Sequence, residues 1–186
     1  SGRNSPYFFN AAKMLNTKFL TDLSECYTKT LQDLDVSFDS IYGPAYKGIF
    51  LASIIGASLE KSDLDIPISF NRKEEKDHGE GGDIIGQLPS GNVLIVDDVI
   101  SAGTAARESI EKIKSIGANP KVMLVGLDRQ EKGSSEISAK AELENDFGLT
   151  VSSIVNLDLL ISFVSDAPNF KEFKSDLEEY RTNWGA

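Results

Sequence analysis

The amino-acid sequence predicts an α/β domain: a central parallel sheet with helices on both faces. Short segments such as NVLIVDD (92–98) and KVMLVGLD (121–128) are apolar without alternation, as strands buried on both faces must be. Between them, apolar residues recur three and four apart, so strands and amphipathic helices alternate along the chain. No linker, repeat or low-complexity tract divides the 186 residues, so 1–186 is read as a single domain.

The elements follow in order. Phe19, Leu20, Leu23, Tyr27 and Leu31 line one face of a helix predicted over 16–34. VSFDSIYG (36–43) is a strand ending in a turn, and YKGIFLASIIGASLEKS (46–62) a largely buried helix. IPISF (66–70) is a short strand, residues 71–83 a polar loop, and IIGQL (84–88) a strand leaving that loop. NVLIVDD is the central strand. TAARESIEKIKSIG (104–117) is a helix with Ala106, Ile110 and Ile113 on one face, a Glu108/Lys112 pair on another, and Gly117 where it stops. KVMLVGLD is the next buried strand, followed by a helix near 135–147, a strand at 151–155, and helices over 157–165 and 169–181.

Composition excludes several classes. Hydrophobic residues at 40% and charged residues at 26% match a globular chain rather than a disordered one. Cys26, the single cysteine, has no partner for an internal disulfide, which suits a reducing compartment. No signal peptide and no membrane-spanning apolar run is visible, so a cytoplasmic location without membrane attachment is expected. A net charge of −10 and a pI near 4.6 argue against the broad basic surface that nucleic-acid binding requires. A small anionic ligand needs only a local cluster of donors and cations.

Open parallel sheets bind ligands outside the carboxyl ends of their strands, and three segments of note fall there: GPAYKG, VDDVISAGTA and LDRQE. In VLIVDDVISAGTAARES (93–109) a buried strand runs into two adjacent carboxylates, which cannot both join an apolar core because successive side chains point to opposite faces. The small residues Ser101, Ala102, Gly103 and Thr104 then let backbone N–H groups converge at a helix N-terminus, a nest for phosphate. Acids for a diol beside a nest for phosphate describe a ribose 5-phosphate. The same spacing also fits a plain strand–turn–helix junction in which Ser or Thr caps the helix.

RKEEKDHGEGG (72–82) brings Arg72, Lys73 and Lys76 among acids and glycines. Taken alone, it is equally a solvated charged loop. Its glycines do not form a dinucleotide fingerprint, since no apolar strand precedes them directly; no P-loop ending and no zinc-ligand spacing is present.

VLIVDDVISAGTA resembles the phosphoribosyl-pyrophosphate signature of type I phosphoribosyltransferases. SGRNSPYFFN (1–10), YGPAYKGI (42–49), FNRKEEKDHGEGG (70–82) and LDRQEKG (127–133) resemble segments of the orotate phosphoribosyltransferase family, in its order and spacing. The resemblance implies the type I fold with a small N-terminal hood near 1–15, the C-terminal helices being further hood candidates. Family members carry a helix, a strand and a substrate-contacting lysine ahead of the equivalent of Ser1, so the hood is expected to be truncated.

The resemblance also implies roles. Asp97 and Asp98 hold the ribose hydroxyls; Val99, Ile100, Ser101, Ala102, Gly103, Thr104 and Ala105 complete the phosphoribosyl-pyrophosphate loop, with Ser101 standing where the family usually has Thr. Tyr46 and Lys47 lie beside the pyrophosphate, joined by Arg72 and Lys73. Phe8, Phe9, Ser101 and Arg129 meet orotate, Arg129 by the two-donor geometry that suits a planar carboxylate. Residues 71–83 form a mobile lid donated across a homodimer interface, with Lys73, Lys76 and His78 as its catalytic groups. Mg²⁺ is bound mainly through substrate and water, with no dedicated protein metal site. The implied reaction is transfer of ribose 5-phosphate to orotate, in the pathway to UMP. Two rivals are a phosphoribosyltransferase for another base and a regulator that binds nucleic acid through the same fold.

Overall fold

The computed structural model describes residues 3–59, 65–76 and 82–186, with the backbone alone described for 73–76 and 82. Among the described residues, six strands form one sheet: β1 (Ser40–Gly43), β2 (Ile68–Lys76), β3 (Gly82–Gly86), β4 (Asn92–Ile100), β5 (Asn119–Asp128) and β6 (Thr150–Asn156). Their order is β3-β2-β1-β4-β5-β6. All neighbours are parallel except the edge strand β3, which runs antiparallel to β2. The helices are α1 (Thr17–Leu34), α2 (Lys47–Leu59), α3 (Thr104–Ser115), α4 (Ala139–Phe147), α5 (Leu157–Asp166) and α6 (Lys174–Trp184).

The central strand shows why the expected sandwich forms. Val93 and Ile95 of β4 are buried with Ile110 and Ile113 of α3 and Leu143 of α4. Leu94 and Val96 point the other way and are buried with Tyr27 and Leu31 of α1 and Leu51 and Ile55 of α2. Each such aliphatic side chain contributes roughly 1.5–3 kcal/mol on leaving water. A period of two therefore fills both faces from one strand, and an uninterrupted apolar run is the result.

A third cluster lies apart. Leu157, Ile161 and Val164 of α5 pack on Leu177 and Tyr180 of α6, and Tyr7 of the N-terminal segment packs against them. Both ends of the chain thus meet beyond the carboxyl end of β6.

Helix ends follow local chemistry. Asn16 Oδ1 accepts from Phe19 N–H at 3.2 Å to start α1, and Asn156 Oδ1 accepts from Leu159 N–H at 2.9 Å to start α5. The helix expected near 135 starts at Ala139 instead. The backbone N–H groups and hydroxyls of Ser134 and Ser135 all donate to the Glu142 carboxylate at 2.6–3.0 Å, which bends the chain out of helical form until Ser138 caps α4. Those bonds, the Ser135 hydroxyl first, pull the Glu142 carboxyl down to about 2. The helix expected over 169–181 is split: Pro168–Phe173 is a 3-10 segment and α6 follows it.

The polar stretch 71–83, expected as a loop, is a correction. β2 extends to Lys76 and β3 begins at Gly82, with Asn71 opposite Ile84 and Lys76 opposite Gly82 around an irregular register. An edge strand exposes its side chains, so charged residues continue it as long as the backbone finds a partner. Residues 77–81 of that stretch, His78 among them, lie outside the described residues.

Candidate functional site

β4 does not stop at its acids. Its pairing with β5 continues through Val99 opposite Leu127 and Ile100 opposite Asp128, so Asp97 and Asp98 sit inside the ladder. Alternation sends Asp97 to the α3 side and Asp98 to the α2 side. Asp98 is 7% exposed and accepts from Lys47 Nζ at 2.6 Å. Lys47 opens α2, and its ammonium also lies 5.7 Å from the centre of the Phe8 ring.

Asp97 has no such cation in direct contact. Its Oδ1 accepts from the Asp98 N–H at 2.8 Å, yet burial dominates, and with the neighbouring Asp98 charge it pushes the carboxyl up to about 7. The strand beneath is held from α1, where the buried Tyr27 hydroxyl donates to the Asp97 carbonyl at 2.9 Å.

Beyond Ile100 the chain turns into α3 through residues 101–103. The N-cap is Gly103, at φ +84°, a left-handed conformation that an L side chain rarely adopts, and no side chain caps the helix. The Ser/Thr-cap alternative is therefore set aside: the helix N-terminus is left with N–H groups for an outside acceptor. Asp97, Val99, Ile100 and residues 101–105 line a cleft of about 230 Å³ there. Ile100 contributes through its backbone, since its side chain is core and its carbonyl accepts from Arg129 N–H at 3.1 Å.

A second cleft, of about 470 Å³, shares Asp97 and Ala105 with the first and is otherwise lined by Tyr42, Pro44, Ala45, Asn71, Arg72, Glu108, Ser109 and Lys112. Asn71 Oδ1 accepts from Ala45 N–H at 2.7 Å, which ties the GPAYK turn to β2. Arg72 Nε is buried there without an acceptor among the described residues. An orphaned guanidinium donor beside a helix N-terminus suits an anion. Tyr46 stands at the same turn and is 70% exposed. The side chains of Lys73 and Lys76 lie outside the described residues, as does His78.

The third group gathers at the end of β5. Arg129 lies over the Tyr7 ring at 4.7 Å and over the Tyr180 ring at 5.4 Å. Its Nη2 donates to the Tyr180 hydroxyl at 2.7 Å. Phe9 approaches Gly126: a Cβ built there would lie 3.0 Å from Phe9 Cζ, 2.9 Å from the Tyr27 hydroxyl and 3.0 Å from the Asp98 carbonyl. Gly126 is thus the shared floor of the two acids' strand and the aromatic wall. Phe8 is 73% exposed beside Lys47.

Sequence reasoning brought Asp97, Asp98, Lys47, Phe8, Phe9, Arg72, Arg129 and residues 99–105 to the right neighbourhood. It missed Tyr27, Gly126, Glu131, Tyr7 and Tyr180. Tyr27 was visible only as one apolar position on a helix, and Glu131 only as an unremarked acid two residues after Arg129. Nothing local marks Tyr180. Among the described residues, no three of His, Cys, Asp and Glu converge in a way that could hold a metal ion, and no helix is long and apolar enough to cross a membrane.

Comparison with known proteins gives a consistent picture. A family model described as a phosphoribosyl transferase domain matches residues 12–143. The chain is 46% identical over 185 residues to the orotate phosphoribosyltransferase of Marinobacter nauticus and 47% identical over 186 residues to that of Escherichia coli O139:H28, covering 100% of this chain and 87% of each relative. Among solved structures, the orotate phosphoribosyltransferase of Francisella tularensis superposes with a TM-score of 0.82 at 35% identity, covering 100% of this chain and 89% of that one.

Proposed function

The chain belongs to the orotate phosphoribosyltransferase family and transfers ribose 5-phosphate from phosphoribosyl pyrophosphate to orotate, and we propose that the strand-end site just described carries out that transfer. The products are orotidine 5′-monophosphate and pyrophosphate, in pyrimidine biosynthesis. The observation that carries the assignment of residues is the meeting of both clefts at Asp97, between an uncapped helix N-terminus and an orphaned arginine donor.

In this reading the 5-phosphate sits in the cradle of residues 101–105, and Asp97 and Asp98 accept from the ribose hydroxyls. Tyr46, Lys47 and Arg72 lie along the pyrophosphate, with Lys73, Lys76 and His78 arriving from the lid. When the bond from ribose C1 to the pyrophosphate oxygen breaks, positive charge spreads over the ring and negative charge over the leaving group. Lys47 and Arg72 are fixed near the second of these, so little reorganisation is needed as charge develops. The N1 atom of orotate then forms the new bond to C1. Phe8 and Phe9 flank the base, and Arg129 binds its carboxylate.

The donor set suits a magnesium ion that arrives with its substrate: two carboxylates, Asp97 and Asp98, with no third partner among the described residues. When bound, such an ion neutralises charge on the pyrophosphate. The β2–β3 arms support a lid over 71–83, offered across a homodimer interface to the neighbouring site. Residues 1–15 with α5 and α6 act as a hood over the base in a single domain, 1–186, working in the cytoplasm.

The deciding experiment is a steady-state assay with phosphoribosyl pyrophosphate and Mg²⁺ against orotate, hypoxanthine and uracil. Turnover confined to orotate is expected; turnover of hypoxanthine at a comparable kcat/KM would overturn the assignment of base.

A further inference from the structure

We propose that Tyr180, acting with Glu131, is a positioning residue for base selection: it holds Arg129 in the orientation that receives the carboxylate of the base. This rests on the reading of Arg129 given above.

The geometry begins with a buried acid. Glu131 is 1% exposed and lies between two arginines, with Arg3 Nη1 2.7 Å from one carboxylate oxygen and Arg129 Nε 2.6 Å from the other. The Arg129 Nε contact is an ion pair out of line for a hydrogen bond, since that N–H finds no acceptor along its axis among the described residues. Tyr180 closes the arrangement. Its hydroxyl donates to Glu131 Oε1 at 2.6 Å and accepts from Arg129 Nη2 at 2.7 Å.

Rings fix what the hydroxyl leaves free. Tyr7 and Tyr180 meet edge to face, with centroids 5.8 Å apart and planes at 85°, and the guanidinium lies over both. A long flexible side chain is thereby held in one pose before any ligand arrives, and preorganisation of this kind raises affinity by lowering the cost of ordering. Nη1 keeps no acceptor among the described residues, so the guanidinium still has a donor to offer.

Charge points the same way. Two guanidinium groups touch one carboxylate, which leaves one positive charge over in a partly buried cluster. A purely structural network gains most from balance, because an uncompensated buried charge is costly. A cluster that is one anion short accepts an anionic base and disfavours a neutral one.

Tyr180 belongs to α6, remote in sequence from every motif of the reaction, so its effect must pass through Arg129. The Tyr180→Phe variant keeps the ring and removes only the hydroxyl. Hydrogen bonds to charged groups are strong enough that its KM for orotate should rise about tenfold, with kcat and the KM for phosphoribosyl pyrophosphate changing less than about twofold. In an Arg129→Ala background the same change should add nothing further.

The outcomes separate the two claims. An unchanged orotate KM in Arg129→Ala overturns the reading of Arg129 itself, and the inference with it. A raised KM in Arg129→Ala with an unchanged one in Tyr180→Phe overturns the positioning role alone. An equal rise from Tyr180→Phe in both backgrounds also overturns it, since the hydroxyl would then act without Arg129. A fall in thermal stability of Tyr180→Phe with equal losses in both substrates' KM values would reduce Tyr180 to a structural residue and sink the proposal.

Discussion

The end of β4 and the end of β5 lie side by side in the sheet, yet they are built in opposite ways. At β4 the polar groups come from one unbroken run, 97–105, and are left wanting: Asp97 is held near neutral by burial, α3 starts without a side-chain cap, and the adjoining Arg72 Nε has no acceptor among the described residues. At β5 the groups come from Arg3, Tyr7, Arg129, Glu131 and Tyr180 and are largely tied to one another. A site for phosphate and sugar can leave its donors to the ligand, because an anion satisfies several N–H groups at once. A site that must tell one base from another needs its recognising group fixed beforehand.

The largest expected effect strikes the β4 side alone. Asp98→Asn removes the carboxylate that pairs with Lys47 and receives a ribose hydroxyl, and should lower kcat/KM for phosphoribosyl pyrophosphate about a hundredfold, given the strength of hydrogen bonds to charged groups. Orotate binding to the same variant, followed by calorimetry, should stay within a few-fold; an equal loss of both would merge the two regions into one.

An intermediate effect is expected where the regions touch. Gly126→Ala forces a methyl group against the Tyr27 hydroxyl, the Asp98 carbonyl and Phe9. Overpacking should cost about 1–3 kcal/mol of stability in urea unfolding. Both KM values should rise together, since the displaced atoms belong to both sides; a change confined to one substrate would show that the strand-end regions are not mechanically joined there.

The smallest effect is a pH dependence. Unfolded, the Asp97 carboxyl titrates near 3.8; folded and unliganded, burial raises it to about 7. The folded chain therefore binds more protons between those values, and this residue's contribution to stability is fully present below 3.8 and lost as pH rises through 7. Urea unfolding at pH 5 and pH 8 should show wild type losing more stability across that interval than Asp97→Asn. Parallel curves for the two proteins would mean that Asp97 ionises freely and that the β4 end is not left in tension by burial.

How much of this was legible in the sequence varies along the chain for a physical reason. The sheet was readable because strands buried on both faces must be apolar throughout, and β4 and β5 are. The 71–83 stretch was misread as loop because an edge strand is held by backbone pairing, which side-chain patterns do not report. The helix near 135 was placed too early because nothing in Ser134 and Ser135 announces that both will wrap Glu142.

By itself the sequence determined the α/β alternation, the pair of acids and the phosphate nest, since each is a matter of neighbours along the chain: side-chain alternation, small residues, a helix starting after a turn. Only the tertiary structure decided that Asp98 pairs with Lys47, that Gly126 is the floor shared by Tyr27 and Phe9, and that Arg129 is held by Tyr180 and Glu131. Those partners lie up to 51 residues apart in the chain, and their meeting depends on how helices seat on a twisted sheet. Local pattern sets which face a residue takes; packing of the whole sets whom it meets.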